Sequence, residues 1–409
     1  MAPPSNLMSA VRVSNACYDK YEPTRVLPVA LRGDIDALAA HFHATNEFKG
    51  LFIGSLVPWN DLVGVPNPGH AAVADLLISR AARAALSANF DVLIEQWAMS
   101  HKIALQGALN GHEATEFAAL SGPLVKFHGC LMRNQPETLW TRAQLAEPTI
   151  ADRVATCSNW MRLQLPGKDL LVVGFWTDWG YLNEVVADAL DAGAFTSVTV
   201  IDPADSAALE TKAPTLWARL TGGTAHFQHL RASGADALAE LRTAFSKVWM
   251  RKFFALGKAL VEAEGRTYSA IDPAMTGDDL YDCRRDAEGV PYSRAAQSKE
   301  PTPQGAQASF FHHLLVTAGA TRAGSWYEYE GKRIRIVQGA GQALHVVRER
   351  YIEPPGSPQP DIVVCAGSLV PAVKGKLISS GTTASIVRPA GGGVAHWMTL
   401  EEARGELAL

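Results

Sequence analysis

Three groups of small and polar residues, each following an apolar run, carry the side chains that could do chemistry. Asn89 and Asp91 follow one run, His128 follows residues 124–127, and Gly174 follows residues 169–173. A carboxylate such as Asp91 stabilises a positive charge that develops in a transition state. A histidine, with an ordinary pKa near 6.5, removes a proton from a hydroxyl or a water molecule, and an asparagine amide orients that group. These residue types suit cleavage of a bond to a sugar carbon through an oxocarbenium-like state.

The elements that must position these residues alternate between strands and helices. We expect four buried strands, which end at Asn89, Phe127, Gly174 and Asp202. The helices that connect or precede them are predicted over residues 70–83, 92–99, 154–165 and 182–192. This alternation is typical of a mostly parallel sheet, whose ligands bind beyond the carboxyl ends of the strands. Asn89, His128 and Gly174 are therefore expected to line one cleft at the edge of one sheet.

The length and composition indicate a folded α/β protein of two domains. The chain has 409 residues, of which 47% are hydrophobic and 19% are charged. That length exceeds one ordinary core, and residues 265–307, which are rich in Asp, Arg, Pro and Gly, separate two differently patterned parts. We predict a mostly parallel α/β domain over residues 1–264, with a long helix over 238–264. A second, smaller α+β domain is predicted over residues 265–409.

Charge and cysteine usage exclude several classes of protein. The net charge is −4, so nucleic acid is expected only indirectly, through a partner. No apolar run approaches the roughly 20 residues that span a bilayer, and residues 1–5 do not begin a secretory signal. The five cysteines form no C-x-x-C pair, and the histidines have no convincing ligand partners, so neither a metal site nor a disulfide framework is expected. These features predict a cytoplasmic protein that does not bind a membrane.

Four motifs in a fixed order carry a resemblance to a known family. They are Pro66 with His70, Asn89-Phe90-Asp91 with Leu93 and Glu95, Lys126-Phe127-His128-Gly129, and Val173-Gly174-Phe175 with Asp178 and Leu182. This order resembles the sirtuin-like superfamily, in its short bacterial branch that is often found in antiphage defence. The similarity covers about residues 60–205. It implies a Rossmann-like, mostly parallel sheet that binds NAD.

The resemblance also implies a role for each motif residue. Asn89 and Asp91 would lie against the nicotinamide ribose, and His128 would act on that ribose as the general base. The remaining candidates would hold the dinucleotide: Gly174, Phe175 and Asp178, with Asp202 near the adenosine end. NAD would then be the substrate, and its nicotinamide–ribose bond would be the bond that is cleaved.

Two departures from the family pattern narrow the expected activity. Residues 1–65 contain no Gly-Ala-Gly loop of the kind that holds the pyrophosphate, and the zinc module of the protein deacylases is missing. Ala88 also replaces the polar residue that usually precedes the asparagine. We therefore predict an NAD hydrolase that is not a protein deacylase, acts as a defence effector, and works with a protein partner or as a homo-oligomer. The alternative is a catalytically inactive sirtuin-like scaffold, or an interaction subunit of a defence complex.

Each candidate residue also has a purely structural interpretation. Asn89 and Asp91 could form only a strand-to-helix cap, and His128 could be a hydrogen-bonded core histidine. Asp202 precedes Pro203 and could be a turn residue. The loop at residues 339–341 contains a lone Gly-x-Gly, which is usually a turn. The sequence leaves these alternatives open.

Overall fold

The chain forms two compact units. The computed structural model describes residues 4–21, 27–176, 180–190, 195–222, 226–290, 298–351, 359–368 and 395–409. One unit comprises Met1–Ser100 and Leu105–Glu240, and the other comprises His101–Ala104 and Leu241–Leu409. Within the described ranges, no helix has the length and apolar character that crossing a bilayer requires.

The first unit contains two small parallel sheets surrounded by helices. The described helices are α1 (Ala10–Tyr21), α2 (Ile35–Ala44), α3 (Pro68–Ile78), α4 (Leu93–Ser100), α5 (Gly111–Phe117), α6 (Pro148–Gln164), α7 (Gly180–Ala189), α8 (Ser206–Lys212) and α9 (Pro214–Thr221). The described strands are β1 (Ala85–Leu86), β2 (Gly107–Ala108), β3 (Leu124–Val125), β4 (Asp169–Val173), β5 (Ser197–Ile201) and β6 (His226–Leu230). The first sheet has the order β1-β3-β2 and the second has the order β4-β5-β6.

The division into two sheets differs from the single sheet that the sequence predicts. β1, β2 and β3 are only two residues long, and among the described strands they pair with one another, whereas β4 pairs with β5. β4 is also partly exposed, whereas the sequence predicts a buried strand. One apolar cluster nevertheless includes Val125 of β3 and Val200 of β5. The unit is thus α/β with parallel strands. Its two sheets are not hydrogen-bonded to each other in the described residues, but they contribute to one shared apolar core.

The N-terminal segment packs against the loop that follows the first sheet. Asp34 caps α2, because its carboxylate accepts a hydrogen bond from Ala37 N at 3.0 Å. Residues 29–31 form a 3₁₀ turn, and Phe48–Leu56 is a π-helix. In this segment Phe52 lies edge-on to Trp140, with 5.8 Å between the ring centroids. This aromatic packing supports the loop that contains the candidate site.

The second unit is built on a mixed sheet. It begins within α10 (Gly234–Ala255), and its described elements are α11 (Lys258–Ala263), α12 (Gly277–Glu288), α13 (Ala306–Thr317), β7 (Thr321–Ala323), β8 (Trp326–Tyr329), β9 (Lys332–Gln338), α14 (Leu344–Arg350), β10 (Ile362–Ala366), β11 (His396–Thr399) and α15 (Leu400–Glu406). The strand order is β11-β10-β9-β8-β7. β9, β10 and β11 run parallel, and β7 and β8 continue the sheet as antiparallel strands.

The boundary between the units lies earlier than the sequence predicts. The expected boundary follows residue 264, whereas the structure divides the chain within α10, between residues 240 and 241. The reason is that Trp249 and Phe253 of this helix are buried in the apolar cluster of the second unit. A buried ion pair of 2.6 Å between Asp286 and Arg335 further fastens α12 to β9.

Candidate functional site

The first part of the site is the turn between β1 and α4. Asn89 is exposed at this turn, and its backbone N–H donates a hydrogen bond to Ser87 Oγ at 3.1 Å. Asp91 is buried, and its Oδ1 accepts a hydrogen bond from Leu93 N at 3.1 Å. The turn therefore presents an amide to the surface and holds a carboxylate below it. The bond to Leu93 N also confirms that Asp91 stabilises the start of α4.

His128 follows β3 and contacts this turn directly. Its Nδ1 lies 2.7 Å from the carbonyl oxygen of Ala88, and its ring lies 5.6 Å from that of Phe90 between centroids. A carbonyl oxygen can only accept a hydrogen bond, so neutral His128 carries its proton on Nδ1 and its lone pair on Nε2. Asn89 and His128 thus belong to neighbouring segments at the carboxyl edge of the first sheet, as the sequence predicts.

Burial controls the protonation of His128. The side chain is only 1% exposed. This burial lowers the pKa of His128 to about 3; the hydrogen bond to Ala88 opposes the shift, and the charge of Arg153 adds to it. His128 is consequently neutral at pH 7, with its Nε2 lone pair retained.

His70 at the start of α3 is electrostatically coupled to the same turn. Asn67 N donates a hydrogen bond to His70 Nδ1 at 3.1 Å, while Asn67 Oδ1 accepts one from His70 N. Burial lowers the pKa of His70, and the negative charge of Asp91 opposes that shift. The helix that carries His70 therefore places this histidine within the electrostatic field of Asp91.

A polar cavity of about 480 Å³ lies beyond the end of β2. Its walls are the start of α5, residues 133–137 and the first turn of α6. Arg133 and Glu113 close one side through two hydrogen bonds of 2.9 and 2.7 Å. Arg153 is a buried wall residue, and its charge is one of the causes that lower the pKa of His128.

The remaining candidates lie at the second sheet. Gly174 has a φ of +54°, and a Cβ added there would meet no atom within 4 Å. Phe175 packs partly buried against the apolar cluster of the first unit. Asp202 Oδ1 accepts a hydrogen bond from Ala204 N at 2.9 Å, which is the turn role that the sequence left open. Asp178 lies outside the described residues.

The structure brings together the candidates of the first sheet and leaves those of the second sheet apart. Across the described ranges, no hydrogen bond, ion pair or ring contact links Gly174 or Asp202 to Asn89, Asp91 or His128. In the same ranges, no group of three or more His, Cys, Asp or Glu side chains is arranged to hold a metal ion. The predicted arrangement at the edge of one sheet is therefore observed for Asn89 and His128, with Asp91 in the same turn as Asn89, and not for Gly174.

Arg153, His70 and Lys126 are site residues to which the sequence assigned no role. Lys126 and His70 lie inside the motifs that carry the family resemblance, and this location is the sequence signal that could have identified them as site residues. Arg153 belongs to α6 and has no sequence signal, because its approach to His128 depends on how the helix packs. Burial of an arginine cannot be inferred from its neighbours in the sequence.

Two substitutions of Asp91 should separate its capping role from its charge. Asp91→Ala removes the acceptor for Leu93 N and is expected to lower the free energy of unfolding by about 0.5–2 kcal/mol. Asp91→Asn keeps a side-chain oxygen at this position, so a smaller loss is expected. Urea denaturation of both variants and the wild type measures the difference. Equal stability of the wild type and Asp91→Ala would contradict the capping role.

Comparison with known proteins gives no match, either to a protein-family model or to a curated protein.

Proposed function

We propose that the first unit hydrolyses NAD at the bond between nicotinamide and ribose. The observation that carries the proposal is the 2.7 Å hydrogen bond between His128 Nδ1 and the Ala88 carbonyl. This bond joins the Asn-x-Asp turn to the His-Gly turn, and these are two of the four motifs on which the resemblance to sirtuin-like proteins depends. The finer assignment of the α/β fold as Rossmann-like and sirtuin-like belongs to the same proposal.

The side chains have complementary roles in this reaction. As the nicotinamide bond breaks, positive charge develops on the ribose, and the Asp91 carboxylate stabilises that charge. His128 Nε2 removes a proton from a ribose hydroxyl or from the attacking water, and the Asn89 amide orients that group. The low pKa of His128 makes it a weak base, although its lone pair is present at any pH near neutrality.

The rest of the dinucleotide needs a binding surface of its own. Gly174 supports such a role because its Cβ position is open, so a backbone approach there is not blocked. The polar cavity lined by Arg153 offers a second surface for the dinucleotide. We assign Phe175, Asp178 and Asp202 to the dinucleotide as part of the same proposal.

NAD binding separates the hydrolase from the inactive scaffold. Isothermal titration calorimetry of NAD into the wild type and His128→Asn should give similar dissociation constants, because His128 acts on the ribose rather than holding the phosphates. Short titrations in the cold limit turnover of the wild type. The scaffold hypothesis predicts no heat of binding for either protein, and that result would remove NAD from the account.

We also propose that the hydrolase is an effector of antiphage defence, in which the second unit senses a signal or mediates assembly with a protein partner or another copy. The resemblance to the bacterial defence branch supports this role. In cells challenged with phage, we expect NAD to fall when the wild type is expressed and to persist with His128→Asn. Unchanged NAD in both cultures would contradict the defence role.

A further inference from the structure

Lys126 is a buried cation at the centre of the candidate site. It lies directly after β3, two residues before His128, and its side chain is only 1% exposed. Its Nζ donates hydrogen bonds to the backbone carbonyl of Asp91 and to Glu95 Oε1, the latter at 2.8 Å. Nζ also lies 3.9 Å from Cys130 Sγ. One ammonium group thus connects the His-Gly segment, the Asn-x-Asp turn and helix α4.

The neighbouring strand is shaped around this side chain. β2 pairs with β3, and Gly107 of β2 lies opposite Leu124. A Cβ at Gly107 would overlap the Lys126 stem and would lie 2.9 Å from Glu95 Oε1. The backbone of Gly107 does not have a positive φ. Its lack of a side chain therefore serves to make room for the Lys126–Glu95 pair rather than to permit an unusual backbone.

Lys126 donates to a backbone carbonyl as well as to a carboxylate, and this gives it a role that an ordinary ion pair lacks. Burying an ammonium group is costly unless its hydrogen bonds are made, and here one of them fixes a backbone carbonyl in the catalytic turn. The first backbone hydrogen bond of α4 runs from Gln96 N to Val92 O, one residue beyond the Asp91 carbonyl. The hydrogen bond from Lys126 thus holds the Asp91 carbonyl, which lies just before the first carbonyl that α4 itself holds.

We propose that Lys126, held by Glu95 and accommodated by Gly107, is the positioning residue for Asp91 in NAD cleavage. The inference rests on the proposed function for its chemistry. Lys126 sets the position of the Asp91 main chain, and through it the distance between the carboxylate and the ribose. Misplacement of a catalytic group by about 1 Å can reduce the rate about 100-fold.

Two variants distinguish positioning from simple stabilisation. Lys126→Met is expected to lower kcat for nicotinamide release by about 10- to 100-fold and to change KM for NAD by less than about threefold. Adding Glu95→Leu removes the carboxylate that Lys126→Met leaves buried, so the double variant should regain thermal stability. We expect its kcat to stay low, because the Asp91 carbonyl still has no lysine donor. Recovery of kcat together with Tm would overturn the proposal.

A third variant perturbs the same contact without changing any charge. Gly107→Ala should displace the Lys126 stem and lower kcat in the same way, and it replaces Lys126→Met as the test if that variant fails to fold. Gly50→Ala is the matched control, because a Cβ at Gly50 meets no atom within 4 Å. Wild-type kcat in a folded Gly107→Ala protein would contradict the positioning role.

Hydrogen exchange tests the positioning independently of NAD. The backbone amides of residues 87–95 should exchange faster in Lys126→Met and in the double variant than in the wild type, and at the wild-type rate in Gly50→Ala. Unchanged exchange in the double variant would overturn the inference. If the wild type releases no nicotinamide, the proposed function fails, and faster exchange would still show that Lys126 holds the turn.

Discussion

Replacing His128 by asparagine is expected to slow nicotinamide release by about 10²- to 10⁴-fold, the usual effect of losing a general base. Asparagine suits the test because its amide N–H2 can donate to the Ala88 carbonyl, as His128 Nδ1 does at 2.7 Å. The variant then lacks only the basic nitrogen that corresponds to Nε2. Steady-state rates, measured by chromatography of released nicotinamide, give the comparison.

The control is a second buried histidine. His312 lies in the second unit, where its Nδ1 is 2.9 Å from the Tyr327 hydroxyl. His312→Asn therefore has a comparable structural cost without touching the candidate site. We expect it to retain the wild-type rate after correction for the folded fraction. Equal rates in the wild type and His128→Asn would exclude His128 from the chemistry.

The wild type is expected to lose about 2 kcal/mol more stability than His128→Asn when the pH falls from 8 to 5. In the unfolded chain a histidine has a pKa near 6.5, whereas burial lowers the pKa of His128 to about 3 in the folded protein. Between these values the unfolded state binds a proton that the folded state does not, so stability falls as the pH falls. The loss begins near pH 6.5 and continues toward pH 3.

Urea denaturation of both proteins at pH 8, 7, 6 and 5 measures this effect. Asparagine does not titrate in this range, so the difference between the two curves isolates His128 from other histidines, such as His70, whose pKa is also lowered by burial. We expect the wild-type midpoint to decline more steeply below pH 6.5. Parallel declines in the two proteins would contradict the burial of a neutral His128.

Local signals in the sequence predicted the part of the site that depends on chain neighbours. A cap was one of the two interpretations of Asp91, and its carboxylate accepts the hydrogen bond that this interpretation expects. Asn89 and His128 were predicted at the edge of one sheet because each follows a short apolar run. These predictions were accurate because capping and strand ends are determined within a few residues.

Features that depend on tertiary packing were not predictable in the same way. Gly174 is separate from the first sheet because β4 pairs with β5 rather than with a strand of that sheet, and an apolar run does not reveal which strand it will pair with. The burial of His128 depends on Phe90 and on the packing around it, and the approach of Arg153 depends on the placement of α6. Such contacts join segments that are far apart in the chain, so the local sequence pattern of either segment does not predict them.

Quantifying nicotinamide and ADP-ribose after incubation of the purified wild-type protein with NAD tests the central claim most directly. The proposed chemistry breaks one bond in each NAD molecule, so the two products should appear in equal amounts and at the rate at which NAD disappears. His128→Asn, assayed in parallel, should form both products about 10²- to 10⁴-fold more slowly than the wild type. Intact NAD after incubation with the wild type, or equal product formation by both proteins, would contradict the assignment of Asn89, Asp91 and His128 as an NAD-cleaving site.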